Sequence, residues 1–376
     1  MELFDVYSLF NITPTKALDC TVWDDQGNQY LDLYGGHAVI SVGHSHPHYI
    51  DRITTQINKI GFYSNSVYNP MQGELANKLG EISQLSDYQL FLCNSGAEAN
   101  ENALKLASFH TGRAKVIAFE KGFHGRTSGA VSITDNQDII APYNANHSVE
   151  ILPWEDIDAV ENSLSQGDVA AIIIEGIQGI GGIHIPSKDF LEAIQKYCVK
   201  YGTLLVLDEI QSGYGRSGHF FAFQQAGIEP DIITVAKGMG NGFPMGGVLI
   251  SPNLKPRKGM LGTTFGGNYL ACAAGLAVLE IIEAENLIDN AKKQGEYITS
   301  KLNYLSNIET VRGTGLMLGI ETNKKITSIR KELLLKNYIF TGVSGTCTMR
   351  LLPPLTLKKS HIDHFINGLA DAIESG

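Results

Sequence analysis

The sequence predicts an α/β protein: a large domain with a mostly parallel sheet between helices, plus a smaller α+β domain. Three observations carry this expectation. From about residue 85 onward, short β-branched runs at 116–119, 170–174, 204–207, 232–235 and 248–250 alternate with helical patterns, as in a buried sheet flanked by helices. After Val311 the elements become shorter and mixed, and the chain ends in an amphipathic stripe of Ile362, Phe365, Ile366, Leu369 and Ile373. The 376 residues suit a large domain with a smaller companion, at about 100–200 residues per domain. The expected division is an N-terminal segment 1–40 that packs with the small domain, a large domain 41–270 and a small C-terminal domain 271–376.

Individual elements follow from local chemistry. Residues 21–23 and 30–33 flank Asp24-Asp25-Gln26-Gly27-Asn28, which reads as strand, turn and strand. Ser95 and Glu98 fit the S-x-x-E capping box; Ala99, Ala103 and Leu106 follow at helical spacing, and Gly112 ends the pattern. A second long helix is expected from near Asn268 through Ala277, Leu279 and Ile282. Pro47, after Gly43, suits a turn entering a helix.

Composition excludes several function classes. The net charge is −10 with no Lys/Arg-rich block, so nucleic acid and anionic membrane surfaces are poor partners. The longest apolar runs are strand-sized, too short to span a bilayer. Cys20, Cys93, Cys198, Cys272 and Cys347 are scattered and form no CxxC pair, which suggests neither a disulfide framework nor a structural zinc site. The first ten residues contain Glu2 and Asp5 and no basic residue, unlike a secretory leader. A cytoplasmic location is expected.

Three segments carry candidate chemistry, each with an ordinary alternative. Asn94-Ser95-Gly96-Ala97 opens the capped helix, where free N–H groups and a small residue suit a phosphate; a helix start without a ligand reads the same way. Asp208 and Gln211 lie just past the run 203–207. Ligands collect beyond the carboxyl ends of strands in open α/β sheets, although an Asp there can equally cap a turn. Lys237 closes the run 231–236; an amine shielded by apolar neighbours can lose enough basicity to attack an aldehyde, whereas most strand-end lysines reach solvent. Two patterns point elsewhere. Gly213-Tyr214-Gly215-Arg216-Ser217-Gly218 is a formal G-x-G-x-x-G, but five residues separate it from its strand and Asp231 precedes the next strand instead of ending it. His44-Ser45-His46-Pro47-His48 lacks a nearby acid or Cys to complete a metal site; no metal is expected.

Taken together, blocks at 23–32, 43–47, 94–107, 123–127, 175–182, 207–218, 231–247, 262–268, 311–319 and 350–353 run in the order of the class III, fold type I, pyridoxal-phosphate-dependent aminotransferases. The chain most resembles the acetylornithine aminotransferases. The resemblance implies a fold type I PLP-transferase acting as a homodimer with shared active sites. It assigns Lys237 to the Schiff base with pyridoxal 5'-phosphate and to the general base, Gly96 and Ala97 to the phosphate turn, and Phe123 to stacking on the cofactor ring. Asp208 and Gln211 match the residues at the pyridine nitrogen and the ring hydroxyl. Thr264 matches a threonine reaching the phosphate from the neighbouring subunit, and Thr263 lies near the substrate. Arg126 matches a guanidinium that grips a substrate carboxylate, and Arg350 a second carboxylate-binding arginine.

The activity implied is ping-pong transfer of an amine from N2-acetyl-L-ornithine to 2-oxoglutarate, in arginine biosynthesis. N-succinylornithine, free ornithine (δ-amino group) and 4-aminobutyrate are the rival donors, and a PLP mutase or racemase is the rival class. One departure bears on the donor. The family usually has a second Glu in the block that here reads Glu175-Gly176-Ile177-Gln178-Gly179-Ile180-Gly181-Gly182, and that Glu masks the arginine matched by Arg350. Either another acid screens Arg350 here, or Arg350 stays free for an extra substrate carboxylate.

Overall fold

The computed structural model describes residues 1–305 and 307–375. A seven-stranded sheet forms its centre, in the order Gln89–Cys93, Gly246–Ile250, Ile232–Val235, Leu204–Asp208, Val169–Glu175, Lys115–Phe119, Val149–Leu152. Six strands run parallel. Gly246–Ile250 runs against both its neighbours. All seven residues of Val169–Glu175 are buried, which explains why that run shows no polar alternation: helices cover both faces.

All five expected sheet runs are strands. Two edge strands, Gln89–Cys93 and Val149–Leu152, were not foreseen. They bury mainly their ends, so neither shows the continuous apolar run that marks the interior strands.

The expected helices form with recognisable stops. Ser95 caps Gly96–Thr111 by accepting the Glu98 N–H at 3.1 Å, and Gly112 ends it in the left-handed conformation. The reciprocal half of the box differs from expectation, because the Glu98 carboxylate takes the N–H of Asn94, at 2.8 Å, instead of that of Ser95. Asn268 caps Tyr269–Ala284. Its many small buried residues let Pro47–Ile57 and Pro70–Ser83 pack on it.

Two smaller four-stranded sheets complete the fold. One joins Pro14–Leu18, Thr21–Asp24 and Gln29–Asp32 to Ile339–Phe340, whose Ile339 pairs with Leu31. The other is an antiparallel set in the order Ile308–Thr314, Met317–Thr322, Thr348–Leu351, Gly342–Ser344. The final helix, Lys359–Ser375, buries Ile362, Phe365, Leu369 and Ile373. Among the described residues no helix is long and apolar enough to cross a membrane.

The three clustered histidines go separate ways. His44 pairs with Asp32 at 2.8 Å, His46 with Glu285 at 2.9 Å and His48 with Glu280 at 2.5 Å. Each imidazole is thus taken by a different carboxylate.

Candidate active site

The parallel strands deliver their last residues to one crevice. Asp208 and Glu175 end adjacent strands and are register partners. Lys237 follows Ile232–Val235, Phe123 follows Lys115–Phe119, and Gly96 follows Gln89–Cys93. The antiparallel strand starts where these end, so residues 242–245 form a further wall. The resulting cavity of about 280 Å³ is lined by Gly96, Ala97, Phe123, Asp208, Gln211 and Lys237, with Ile180 at its rim. Six residues predicted from sequence thus converge on one space.

Lys237 sits in a short 3₁₀ turn with φ +46°, a left-handed conformation rare for a residue with a side chain. The turn is tied to the N-terminal stretch. Ser41 Oγ donates to the Gly238 carbonyl at 2.7 Å, and Asn241 Oδ1 accepts the N–H groups of Ser41 and Val42. Burial pushes the Lys237 amine below its ordinary pKa, Arg350 and Arg216 push the same way, and Asp208 and Glu175 oppose them. The outcome is an amine that loses its proton more readily than a free lysine.

Asp208 is 4% exposed and held by fixed donors. Its Oδ2 accepts Asn100 Nδ2 at 2.8 Å and faces His124 Nδ1 at 2.8 Å; its Oδ1 accepts the Ile210 N–H at 3.1 Å. Asn100 cannot flip freely, because Thr234 Oγ1 donates to its Oδ1 at 2.7 Å while Nδ2 also donates to the His124 carbonyl at 2.7 Å. Glu175 lies beside this group and accepts the N–H groups of Phe123 and Gly179. Burial lifts its carboxyl to about 6, with Asp208 adding to the rise and His124 opposing it. The sequence alone singles out none of Asn100, His124, Glu175 and Thr234. A signal existed for two of them: Asn100 lies on the buried stripe of its helix beside Ala99 and Ala103, and Glu175 ends an apolar strand just as Asp208 does.

The start of the Gly96–Thr111 helix forms the opposite wall. A side chain at Gly96 would collide with Ile210, the added carbon lying 2.8 Å from its Cδ1. Gly179 makes similar room for Gln211, since a Cβ there would fall 1.8 Å from Oε1. Gln211 Nε2 donates to the His37 carbonyl at 3.2 Å, and Oε1 is buried without a partner among the described residues.

The other predicted residues lie around the cavity, outside its lining. Arg126 is exposed, and among the described residues it has no hydrogen-bond or ion-pair partner. Thr263 accepts Asn94 Nδ2 at 3.2 Å and the Gly266 N–H at 3.1 Å; Thr264 is exposed beside an exposed Phe265. Arg350 is 3% exposed, and its Nε donates to the Val343 carbonyl at 3.0 Å. Its Nη1 is buried with no partner, and among the described residues no carboxylate comes within ion-pair reach of it. Burial lowers its pKa, while Tyr34 and Glu175 favour its charged form. Ile180 is 42% exposed and offers no charge to it.

The residues present fit pyridoxal phosphate. The helix start suits its phosphate, the anchored Asp208 its ring nitrogen, and the orphaned Gln211 Oε1 marks a place for an incoming polar group. Fold and site together define a pyridoxal-phosphate-dependent transferase of fold type I. The "Aminotransferase class-III" family model matches residues 5–373, and the chain belongs to that family; pyridoxal 5'-phosphate is its cofactor.

The chain is similar to the acetylornithine aminotransferase of Archaeoglobus fulgidus, with 38% identity over 96% of each chain. It is similar also to that of Bacillus subtilis, with 38% identity over 99% of this chain and 97% of the relative. Among solved structures, the ornithine aminotransferase of Toxoplasma gondii superposes with a TM-score of 0.92 at 28% identity, covering 98% of this chain and 91% of the other. A second structure of that enzyme holds PLP at partial occupancy in its active site.

Proposed function

We propose that the enzyme transfers the terminal amine of N2-acetyl-L-ornithine to 2-oxoglutarate, serving arginine biosynthesis in the cytoplasm. The reading is supported by a pair of arginines, Arg126 and Arg350, that among the described residues have no carboxylate within ion-pair reach: Arg126 follows Gly125 of the cavity lining, and the buried Arg350 acts electrostatically on the Lys237 amine. Such a pair suits substrates that present carboxylates at one end and an amine or carbonyl at the other. The acetylornithine aminotransferases among its relatives support the same donor.

When bound, the cofactor supplies an aldehyde for the amine and a ring that absorbs negative charge. Lys237 would hold the cofactor, and its Nζ, with lowered basicity, would serve as the group that takes up and returns a proton beside it. Asp208, anchored by Asn100 and the Ile210 N–H, would lie at the ring nitrogen, and Gln211 would meet the ring hydroxyl. The helix start at Gly96 and Ala97 would bind the phosphate, and Phe123 would stack on the ring. Arg126 and Arg350 hold carboxylates, with Thr263 near the substrate.

The working unit in this reading is a homodimer, with Thr264 of each chain reaching the other's phosphate. Exposed apolar side chains near Thr264, including Phe62, Tyr63, Tyr68 and Phe265, favour a covering partner. The domain division at residues 40 and 270 belongs to the same reading.

A second reading changes only the acyl group. Ile180 brings no acid to Arg350, so a donor with an extra carboxylate, such as N-succinylornithine, would find that guanidinium free. The test is to supply each donor with 2-oxoglutarate and measure glutamate. Turnover of N-acetylornithine, with little from free ornithine or 4-aminobutyrate, is expected. Conversion without 2-oxoglutarate would instead indicate a mutase or racemase. A higher kcat/KM for the succinyl donor, reduced by Ile180→Glu, would select the second reading; a preference for acetyl unmoved by that substitution would remove it.

A further inference from the structure

The G-x-G-x-x-G loop is built to meet the second antiparallel sheet at backbone distance. Gly215 and Gly218 have φ of +86° and +83°, and side chains there would press on Ile288 and Lys292. From the other side, a Cβ at Gly315 would lie 2.5 Å from the Arg216 carbonyl oxygen. Two glycine-bearing segments thus pack main chain to main chain. The contact is closed by hydrogen bonds: the Leu316 N–H donates to the Arg216 carbonyl at 2.8 Å, and Thr314 Oγ1 donates to the Ser217 carbonyl at 3.2 Å.

Arg216 is the unusual residue of this loop. It is 2% exposed, and among the described residues no carboxylate lies within ion-pair reach of it. Its Nη1 donates to two carbonyls, Pro353 at 2.7 Å and Leu316 at 3.1 Å, and Nη2 is buried without a partner among the described residues. Burying an uncompensated guanidinium is costly, and an apolar side chain of similar length would fill the space more cheaply. Its two acceptors show where that cost is spent. Leu316 immediately precedes the strand Met317–Thr322, and Pro353 follows the strand Thr348–Leu351; these strands are neighbours, with Arg350 opposite Gly319. One guanidinium therefore grips both chains of the pair that carries Arg350. Its own backbone continues, five residues upstream, into Gln211 and then Asp208.

We propose that Arg216 is a positioning residue for carboxylate recognition: it sets the place of Arg350 relative to the loop that bears Asp208 and Gln211. The inference rests on the reading that Arg350 holds a substrate carboxylate. Other bonds hold the same segment from its far edge, from the Leu352 N–H to Leu33 and from the Leu355 N–H to Ser41. Loss of Arg216 should therefore shift Arg350 without releasing its strand.

The test uses the cofactor-loaded enzyme and two unreactive probes, glutarate with two carboxylates and butyrate with one, titrated by calorimetry. Arg216→Met is expected to weaken glutarate about tenfold, the loss of roughly one well-made charged hydrogen bond. Butyrate should change less than about twofold, and the cofactor absorbance should persist. Arg216→Lys, whose ammonium can reach both carbonyls, should restore most of the glutarate affinity. Where Met at 216 prevents folding, Arg216→Gln, able to donate to one carbonyl at a time, is read by the same ratio. Equal shifts for the two probes, or no shift, would overturn the proposal while Arg350→Met still weakens glutarate selectively. If Arg350→Met leaves glutarate unaffected, the reading of Arg350 fails and the role of Arg216 falls with it.

Discussion

Gly179→Ala places one methyl group where the structure leaves no room for it. The added carbon would lie 1.8 Å from Gln211 Oε1 and 2.7 Å from its Cδ. Ordinary contact requires the amide to retreat by about 1.7 Å, which carries Nε2 out of reach of the His37 carbonyl, now at 3.2 Å. Losing that bond costs about 0.5–1.5 kcal/mol. The clash adds only about 1 kcal/mol, because the obstacle is the far end of a flexible side chain. Against this, alanine stiffens the unfolded chain and returns about 0.4–1 kcal/mol. The net expectation for the apoprotein is a destabilisation of about 1 kcal/mol, with a larger proportional loss of cofactor affinity because Gln211 leaves the cavity wall. Urea unfolding of the apoprotein and equilibrium dialysis of pyridoxal phosphate measure the two. In a Gln211→Ala background the three nearest atoms to the methyl are gone, so the same substitution should be close to neutral, a coupling of about 1–2 kcal/mol. An equal cost in both backgrounds would refute the reasoning and place the strain in the backbone.

Two further outcomes follow from buried groups. Burial lifts Glu209 to about 7 from an ordinary 4.5, against the Ser212 hydroxyl and Phe223 N–H that favour its charge. A raised carboxyl pKa gives stability that is complete below the unfolded value and is lost as pH rises through the folded value. The wild type should therefore lose on the order of 3 kcal/mol between about pH 4.5 and pH 8 relative to Glu209→Gln, and parallel stability curves for the two proteins would contradict this. Thr234→Val keeps the shape of the side chain but leaves the Asn100 Oδ1 acceptor buried and unpaired. It should cost about 1–3 kcal/mol in denaturant unfolding, with Thr234→Ser close to wild type.

Much of this architecture was legible because the central strands are buried on both faces, and burial writes itself as uninterrupted β-branched runs such as 170–174. The edge strands at residues 89–93 and 149–152 escaped because an edge buries little and its composition stays mixed. Asp208, which ends its strand, and Lys237, two residues past the end of its own, were legible for the reason ligands gather there. Asn100 and Thr234 were not: Asn100 meets the Asp208 carboxylate across 108 residues of chain and Thr234 holds the Asn100 amide across 134, and no local pattern records such meetings. Arg216 is the reverse case. Its motif was conspicuous, but it matched a dinucleotide-binding pattern whose context was missing; Gly215 and Gly218 make room for Ile288 and Lys292 instead, and Gly315 meets the loop's main chain.

The central claim is that Lys237, alone among the lysines, is the attachment point of pyridoxal phosphate. Borohydride reduction of the cofactor-loaded enzyme, followed by proteolysis and peptide mass spectrometry, tests it most directly. One pyridoxyl adduct is expected, on the peptide containing Lys237, lost in Lys237→Ala. A stoichiometric adduct on any other lysine, or an unchanged one in that variant, would contradict it.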